Sequence, residues 1–395
     1  MKANLVAIKD CVVKAKTWNP VVEAKDETIT YIDIAAVDKD LKKIVEPTLC
    51  LGAEAPSRAR QLVQTNDVLV STVRPNLNSV AVVTEEFSGA TASTGYTVLR
   101  PLPEVLDTQY LFHWVKTGHF INEMIKLATG QSYPAVSDKI ILNSKIPLPP
   151  LAEQRRIASI LDQADELRQK RQQAIEKLDQ LLQATFIDMF GDPVSNPKGW
   201  DVNKLENLTT KIGSGSTPKG GDSAYKDEGI SLVRSLNIYD GQFSYKNLAF
   251  IDQDQADKLK NVILQANDVL LNITGASVAR CCLVPNGILP ARVNQHVSIL
   301  RVKDNLIPEF LEALLISKTM KLHLLKISGA GATREALTKL QLQELEIIVP
   351  PLGIQNEFLL KLESIKCLID LNSKQLNELD KLFISSQNQA FNGTL

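Results

Sequence analysis

The sequence predicts an α+β protein in which two similar domains are each followed by a long helix, and the two helices pair with each other. Three observations lead to this fold class. One constant offset relates the two halves of the chain, strand-like and helix-like segments are mixed within each half, and each half ends in a heptad-patterned segment. A chain of 395 residues also exceeds one ordinary core, which favours two or three domains.

The repeat sets the predicted domain boundaries. The segment IPLPPLAEQRRIASILDQADEL begins at residue 146 and returns as IIVPPLGIQNEFLLKLESIKCL at residue 347, an offset of 201 positions. The same offset relates the QxNDVL stretch at Gln64 to the one at Gln265, and Arg100 to Arg301. The predicted boundaries are 1–150 for the first domain, 151–192 for the first helix, 193–351 for the second domain and 352–391 for the second helix.

Each domain mixes two periodicities. Runs such as DVLVSTV and GYTVLRP in the first copy, and DVLLNIT and HVSILRV in the second, are rich in β-branched residues and bounded by turn formers, which indicates strands. The segments QYLFHWVKTGHFINEMIKLA and PEFLEALLISKTMKLHLLKI carry apolar residues at helical spacing. Both domains are therefore predicted to be α+β.

The segments after Pro150 and Pro351 are predicted to be long helices, because paired prolines stop a strand and a proline fits only the first turn of a helix. The predicted seam positions are Ile157, Leu161, Ala164, Arg168, Arg171, Ile175, Leu178 and Leu182 in the first helix, and Phe358, Leu362, Ile365, Ile369, Asn372, Leu376, Leu379 and Phe383 in the second. This heptad pattern predicts a coiled coil between the two helices. An antiparallel, pseudo-two-fold symmetric arrangement with the domains at opposite ends satisfies both seams. The alternative is two separate amphipathic helices, each on its own domain.

Charge and composition narrow the functional class. The net charge is -1 and the basic residues form no block, which counts against a protein that holds nucleic acid by phosphate neutralisation alone. No apolar run approaches the roughly 18 residues of a membrane span, so we expect a cytoplasmic protein without membrane contact. The five cysteines show no metal-ligand spacing, and no metal site is expected.

The order of these segments resembles the specificity subunit of type I restriction-modification systems over the whole chain. LPPLAEQRRIASILDQAD followed by FIDMFGDPVSNPKGW is typical of the central conserved region of that family. LVQTNDVLVSTVRPN and ILQANDVLLNITGAS are similar to the strand-turn signature of its target recognition domains. The second proline motif departs from the pattern at Gly353 and Ile354, where the first has Ala152 and Glu153.

The resemblance implies a division of labour. Each target recognition domain would read one half of a bipartite, asymmetric sequence in double-stranded DNA. The two helices would set the spacing and dock two methyltransferase subunits, which bind S-adenosylmethionine and methylate an adenine in each half-site. A translocating restriction subunit would join for cleavage. The chain itself would be neither an enzyme nor a cofactor-binding protein.

Candidate DNA-binding residues lie in predicted loops and carry side chains that pair with base edges, Arg with guanine and Asn or Gln with adenine. They are Arg74, Asn76, Asn78, Gln131, Ser132 and Tyr133 in the first domain, and Lys219, Asn272, Thr274, Arg292, Asn294, Gln295, Thr333 and Arg334 in the second. For each residue, an ordinary solvated loop position is the alternative. The two copies differ at loop positions, as Arg74 and Gly275 do, which predicts that they read different half-sites.

No catalytic motif accompanies these residues. The sequence lacks the [DNS]PP[YF] motif of amino-methyltransferases, and GSGSTPKGGD does not have the spacing of a phosphate-binding P-loop. Two further hypotheses stay open. One is the recognition subunit of a type IIB-like enzyme whose partner both methylates and cleaves. The other is a coiled-coil adaptor that joins two proteins and binds no DNA.

Overall fold

The computed structural model describes residues 4–218, 220–329 and 335–395. The chain divides into two compact units. Unit one is Met1–Gln173 with Ser373–Leu395, and unit two is Ala174–Asn372. Each unit contains one copy of the repeated domain and part of both long helices.

Unit one holds the first domain. Its strands are β1 (Asn4–Ala7), β2 (Val12–Lys14), β3 (Lys16–Thr17), β4 (Thr28–Ile32), β5 (Val37–Asp38), β6 (Lys43–Ile44), β7 (Thr48–Leu51), β8 (Ala59–Leu62), β9 (Val68–Ser71), β10 (Val80–Val82), β11 (Thr91–Ser93), β12 (Tyr96–Pro101) and β13 (Lys145–Leu148). Its helices are α1 (Pro20–Glu23), α2 (Thr108–Val115), α3 (Gly118–Leu127) and α4 (Asp138–Asn143), and then α5 (Leu151–Phe190), which continues into unit two.

Unit two holds the second domain. Its strands are β14 (Val202–Lys204), β15 (Thr209–Ser214), β16 (Ile230–Val233), β17 (Ile238–Tyr239), β18 (Gln242–Phe243), β19 (Ala249–Ile251), β20 (Val269–Asn272), β21 (Cys281–Leu283), β22 (Ala291–Val293), β23 (Val297–Val302) and β24 (Glu346–Ile348). Its helices are α6 (Leu205–Leu208), α7 (Gln253–Asp257), α8 (Pro308–Ile316), α9 (Lys318–Gly329) and α10 (Lys339–Gln343), and then α11 (Leu352–Asn392), which continues into unit one.

The two domains share the strand order of a four-stranded antiparallel sheet, whereas the second sheet has five strands in unit one, β3-β8-β11-β4-β7, and three in unit two, β19-β16-β22. The antiparallel sheet β10-β9-β12-β2 of unit one corresponds to β21-β20-β23-β15 of unit two. In the second sheet, the parallel pair β4 and β11 corresponds to β16 and β22. The terminal strand of each domain, β13 or β24, pairs with its first strand and leads directly into the long helix. The predicted α+β class with two similar domains is confirmed.

An ion pair between a buried aspartate and a half-buried arginine explains why both residues recur at the offset of 201 positions. Asp67 is fully buried and accepts two hydrogen bonds of 2.8 Å from the Arg100 guanidinium, which joins the turn before β9 to β12. In unit two, Asp268 and Arg301 make the same bidentate contact at 2.7 and 2.8 Å. A buried carboxylate needs such a partner, because an unpaired charge in the interior is costly.

The long helices pair antiparallel in each unit. In unit one, Arg156 donates to the backbone carbonyl of Leu395 at 3.0 Å, and Arg168 donates to Asp380 at 2.6 Å. Residue numbers therefore rise along α5 in the direction in which they fall along α11, which is antiparallel pairing. In unit two, the ring of Phe190 at the end of α5 lies 5.3 Å from that of Phe358 near the start of α11. The predicted pairing of long helices is confirmed, and every predicted seam residue is buried or half-buried.

The same glutamine anchors each long helix to its domain. Gln154 is 1% exposed; it accepts from the backbone N–H of Asp107 and donates to the carbonyls of Val105 and Pro149, each at 2.9 Å. Gln355 is fully buried; it accepts from the N–H of Ile307 and donates to the carbonyls of Pro350 and Asn305. The first turn of each helix is thereby bonded both to the proline pair and to the loop before α2 or α8.

Polar pairs also hold the helices against the domains. In unit one, His113 contacts Asp162 at 2.7 Å and Lys116 contacts Asp165 at 3.2 Å. Burial lowers the pKa of His113, although the hydrogen bond that its Nε2 donates to the Asp162 carboxylate opposes this shift. In unit two the charges are reversed, because Lys366 of the helix contacts the buried Glu312 of the domain at 2.9 Å.

Candidate nucleic-acid interface

Two loops predicted separately lie side by side in unit one. A β-bridge joins Val73 to Ala135, and the N–H of Arg74 donates to the carbonyl of Pro134 at 2.7 Å. The second loop is a closed turn, because Thr129 and Ala135 exchange two backbone hydrogen bonds of 2.9 Å. Gly130 permits this turn, since its φ is +98° and a Cβ there would lie 2.8 Å from the carbonyl oxygen of Tyr133. The polar residues of both loops therefore form one surface.

Arg74 occupies a strained position on this surface. Its φ of 49° and ψ of 62° place it in the left-handed region, which costs a non-glycine residue about 1–2 kcal/mol. Its guanidinium lies 4.7 Å from the centre of the Tyr133 ring, which is 69% exposed. Strain of this kind persists where the surroundings impose it and concentrates at functional sites. The equivalent residue in unit two is Gly275, with a φ of 73°.

Other predicted residues of unit one divide into two groups. Asn76, Gln131 and Ser132 are exposed on the two loops beside Arg74 and Tyr133. Asn78 is buried, and its amide donates to the carbonyl of Val115 at 2.9 Å. We therefore correct its role from base reader to loop anchor.

Lys42 also holds the loop that carries Arg74 and Asn78 in place. Its ammonium donates to the carbonyl of Asn78 at 2.5 Å. Burial, together with the charge of nearby Lys116, lowers the pKa of Lys42 to about 8. The loop that carries Arg74 is thus held by one buried and one half-buried polar contact, which limits its freedom before any ligand binds.

In unit two, the segments equivalent to the two loops of unit one also lie side by side. Thr274 forms a β-bridge with Ala336, and the N–H of Gly275 donates to the carbonyl of Glu335 at 3.0 Å. Thr333 and Arg334, predicted on the neighbouring loop, lie outside the described residues, as does Lys219. The scaffold position that carries Arg74 in unit one therefore presents no side chain in unit two.

A different cluster of polar side chains faces solvent in unit two. The hydroxyl of Thr217 contacts Oε1 of Gln295, Nε2 of Gln295 lies 3.1 Å from Nε2 of His296, and Nδ1 of His296 lies 2.5 Å from Oγ1 of Thr274. Gln295 is exposed and the other three residues are half-buried. Only Thr274 and Gln295 were predicted. Thr217 and His296 were not predicted, although the GSGSTPKGGD and ARVNQHV stretches that contain them are candidate loops.

Three predicted residues of unit two are buried and serve the fold. Asn272 donates to the carbonyl of Ser235 at 2.9 Å, and Arg292 donates to the carbonyls of Ala256 and Ala291. Asn294 accepts from the N–H of His296 at 3.0 Å and shapes the turn between β22 and β23. We correct all three from base readers to structural residues, because side chains engaged in the interior are not presented to a duplex.

The described residues offer no site for metal chemistry, since they contain no group of three or more His, Cys, Asp or Glu placed to hold an ion. Burial raises the pKa of the Cys281 and Cys282 thiols, which keeps both protonated in the core. In the part of the chain that the structure describes, no helix combines the length and apolarity needed to cross a bilayer.

Comparison with known proteins identifies the family. The sequence profile of the type I restriction modification DNA specificity domain matches residues 57–177 and 197–381, one match in each repeat. These matches cover most of the chain, and the chain belongs to this family.

Individual relatives agree with this result. The specificity subunit of the type I restriction enzyme MjaVIII from Methanocaldococcus jannaschii is 28% identical over 297 residues, which cover 70% of this chain and 68% of that protein. The specificity subunit of EcoBI from Escherichia coli is 26% identical over 293 residues, covering 66% of this chain and 60% of that protein. A solved chain from work on the assembly and conformational transition of the type I restriction-modification system covers 100% of this chain and 98% of its own length, with 26% identity and a TM-score of 0.63.

Proposed function

We propose that this protein is the DNA-specificity subunit of a type I restriction-modification complex and that each domain reads one half of a bipartite, asymmetric site in double-stranded DNA. Family membership supports the class. One structural observation carries the finer claim. Two copies of the same scaffold present different exposed side chains, Arg74 with Tyr133 in one and Gln295 in the other. Similar frames with different loops suit the reading of two different sequences.

The long helices suit a spacing and docking role. Helix α5 has 40 residues and α11 has 41, so each extends about 60 Å at 1.5 Å per residue. The proposal keeps the boundaries 1–150, 151–192, 193–351 and 352–391 for domain, helix, domain and helix. Two methyltransferase subunits would dock on the paired helices, and the length of the pair would set the gap between the half-sites.

The chemistry in this proposal belongs to the partners. The methyltransferase subunits would bind S-adenosylmethionine and methylate adenine, and restriction and translocase subunits would cleave DNA. The relatives support this division, because they are named as specificity subunits of restriction enzymes. This chain would contribute base recognition and geometry without a cofactor of its own.

The decisive experiment is a protection assay on the complex of this protein with a type I methyltransferase subunit. We expect protection and adenine methylation of one bipartite, asymmetric sequence, and none with the methyltransferase alone. Protection that shows no sequence preference would refute the proposal. An unshifted duplex at low salt, with the methyltransferase still bound, would instead favour a protein adaptor.

A further inference from the structure

Thr217, Gln295, His296 and Thr274 form a row of hydrogen-bonded side chains in unit two, and the donor and acceptor of each bond can be assigned. The amide nitrogen of Gln295 is a donor only, so the Nε2 atom of His296 must accept from it. A neutral imidazole that accepts at Nε2 carries its hydrogen on Nδ1, which then donates to the hydroxyl oxygen of Thr274. At the other end, the hydroxyl of Thr217 donates to Oε1 of Gln295. Both atoms of the exposed amide are therefore held.

These contacts leave part of the hydrogen-bonding capacity of the Gln295 amide available to a ligand. Oε1 has two acceptor positions and Nε2 has two hydrogens. Among the described residues, Thr217 engages one acceptor position and His296 engages one hydrogen. One acceptor and one donor are left on an exposed side chain. Adenine presents the complementary pair in the major groove, an N6 donor and an N7 acceptor, which glutamine contacts through two hydrogen bonds.

We propose that Gln295 reads an adenine in the half-site of the second domain, with Thr217 and His296 as positioning residues. This inference rests on the proposed DNA-specificity function and names the base and the side chain involved. A glutamine fixed by two contacts loses less side-chain freedom on binding than a free one, which favours recognition.

The backbone near this row allows the loop that carries Thr217 to approach the turn that carries Gln295 and His296. Gly215 donates its N–H to the carbonyl of Asn294 at 3.1 Å. A Cβ on Gly215 would lie 1.8 Å from the carbonyl oxygen of Val293, so only glycine lets the loop carrying Thr217 approach this turn. The side chain of Asn294 holds the N–H of His296 at 3.0 Å. The row is therefore supported by backbone on both sides.

The first domain has the same turn without the reading groups. The N–H of Thr72 donates to the carbonyl of Gly95 at 2.9 Å, as the N–H of Ile273 does to the carbonyl of His296 at 2.9 Å. Thr94 and Gly95 thus stand where unit two has Gln295 and His296. Thr94 is exposed but has no amide. It provides a matched control position on an equivalent turn.

The test measures base preference at every position of both half-sites. The complex with the methyltransferase subunit is assayed on duplexes in which each base pair of the wild-type site is replaced in turn. We expect Gln295→Ala to reduce discrimination by roughly 5- to 150-fold at one adenine of one half-site, and at no other position. Thr94→Ala should leave all positions unchanged. Gln295→Glu should move the preference at that position from adenine toward cytosine, because a carboxylate accepts from the cytosine N4 amino group.

Positioning by Thr217 has its own readout. Thr217→Val removes the hydroxyl at nearly the same size, and we expect part of the loss seen with Gln295→Ala, at the same base pair. Thr217→Ser keeps the hydroxyl and should restore discrimination. Loss in both variants, or in neither, would overturn the positioning role.

The possible outcomes separate the inference from the proposed function. Unchanged discrimination in the first half-site shows that a Gln295 variant is folded and assembled. If such a variant also keeps full discrimination throughout the second half-site, the inference is overturned while the proposed function stands. If the wild-type complex shows no bipartite preference at all, both are overturned.

Discussion

Replacement of Arg74 by glycine or alanine tests whether backbone strain is retained for recognition. Arg74 has a left-handed conformation, which costs about 1–2 kcal/mol, and its stacking on Tyr133 is worth about 0.5–1 kcal/mol at an exposed site. Alanine loses the stacking and keeps the strain, so the stability of unit one should fall by about 0.5–1 kcal/mol. Glycine loses the stacking, relieves the strain and adds about 0.5–1 kcal/mol of backbone entropy cost, for a net change near zero.

The two variants should therefore differ by roughly 0.5–1 kcal/mol, with glycine the more stable. Amide hydrogen exchange in β9 and β10 of the full chain would measure this difference within unit one. Gly275→Ala is the reciprocal control and should destabilise unit two, because the φ there is 73°. Both Arg74 variants should lose about 1–3 kcal/mol of base discrimination in one half-site. An alanine variant more stable than the glycine variant, or full discrimination in both, would refute the reasoning.

Further predictions concern the scaffold. Asp67→Ala should destabilise unit one by about 2–3 kcal/mol in urea unfolding because it leaves Arg100 without its partner, and the double variant lacking both side chains should recover part of the loss. Gln154→Ala removes the three hydrogen bonds of a buried side chain and should cost about 3 kcal/mol, whereas substitution of the exposed Gln163 by alanine should change stability by less than about 0.5 kcal/mol. His113 has a lowered pKa in the folded state, so the unfolded chain takes up its proton first as pH falls below 6.5; unit one should lose stability there, and His113→Leu should remove that pH dependence in thermal unfolding. One heptad added to both long helices at paired positions should lengthen the gap between half-sites by about 10 Å, or about three base pairs, in methylation mapping.

Each of these scaffold predictions has an outcome that would contradict it. A double variant at Asp67 and Arg100 no more stable than Asp67→Ala would show that the unpaired charge is not the cause. A Gln154 variant as stable as the Gln163 control would remove the anchor role. Acid stability that persists with His113 in place would mean that the ring titrates normally. Altered bases in either half-site after heptad insertion would contradict the separation of reading from spacing.

Comparison of the two copies separates residues that make the same structural contacts in both from residues that differ between them. The pairs Asp67 with Arg100 and Asp268 with Arg301 repeat with the same geometry, because each buried aspartate joins the turn before β9 or β20 to the neighbouring strand, β12 or β23. Beside this shared frame, Gly275 stands where unit one has Arg74, and Gln295 stands where unit one has Thr94; all four residues are exposed. Exposed positions accept such changes at little cost in stability, so the copies can diverge in what they bind.

The sequence by itself determined the α+β class, the duplication and the long paired helices. These features depend on local periodicity, and a heptad pattern such as that from Phe358 to Phe383 specifies a helix and its buried stripe without knowledge of distant residues. It could also show that Gln154 and Gln355 recur, although not that each bonds a helix to its domain.

The tertiary structure decided which polar residues face solvent and which loops meet. Asn272 and Gln295 are both polar residues next to predicted strands, yet Asn272 bonds to Ser235, 37 positions away, while Gln295 is exposed and meets Thr217, 78 positions away. Such contacts follow from how the strands are ordered in the sheets. Burial and the pairing of loops are long-range properties of the folded chain, and no local pattern encodes them.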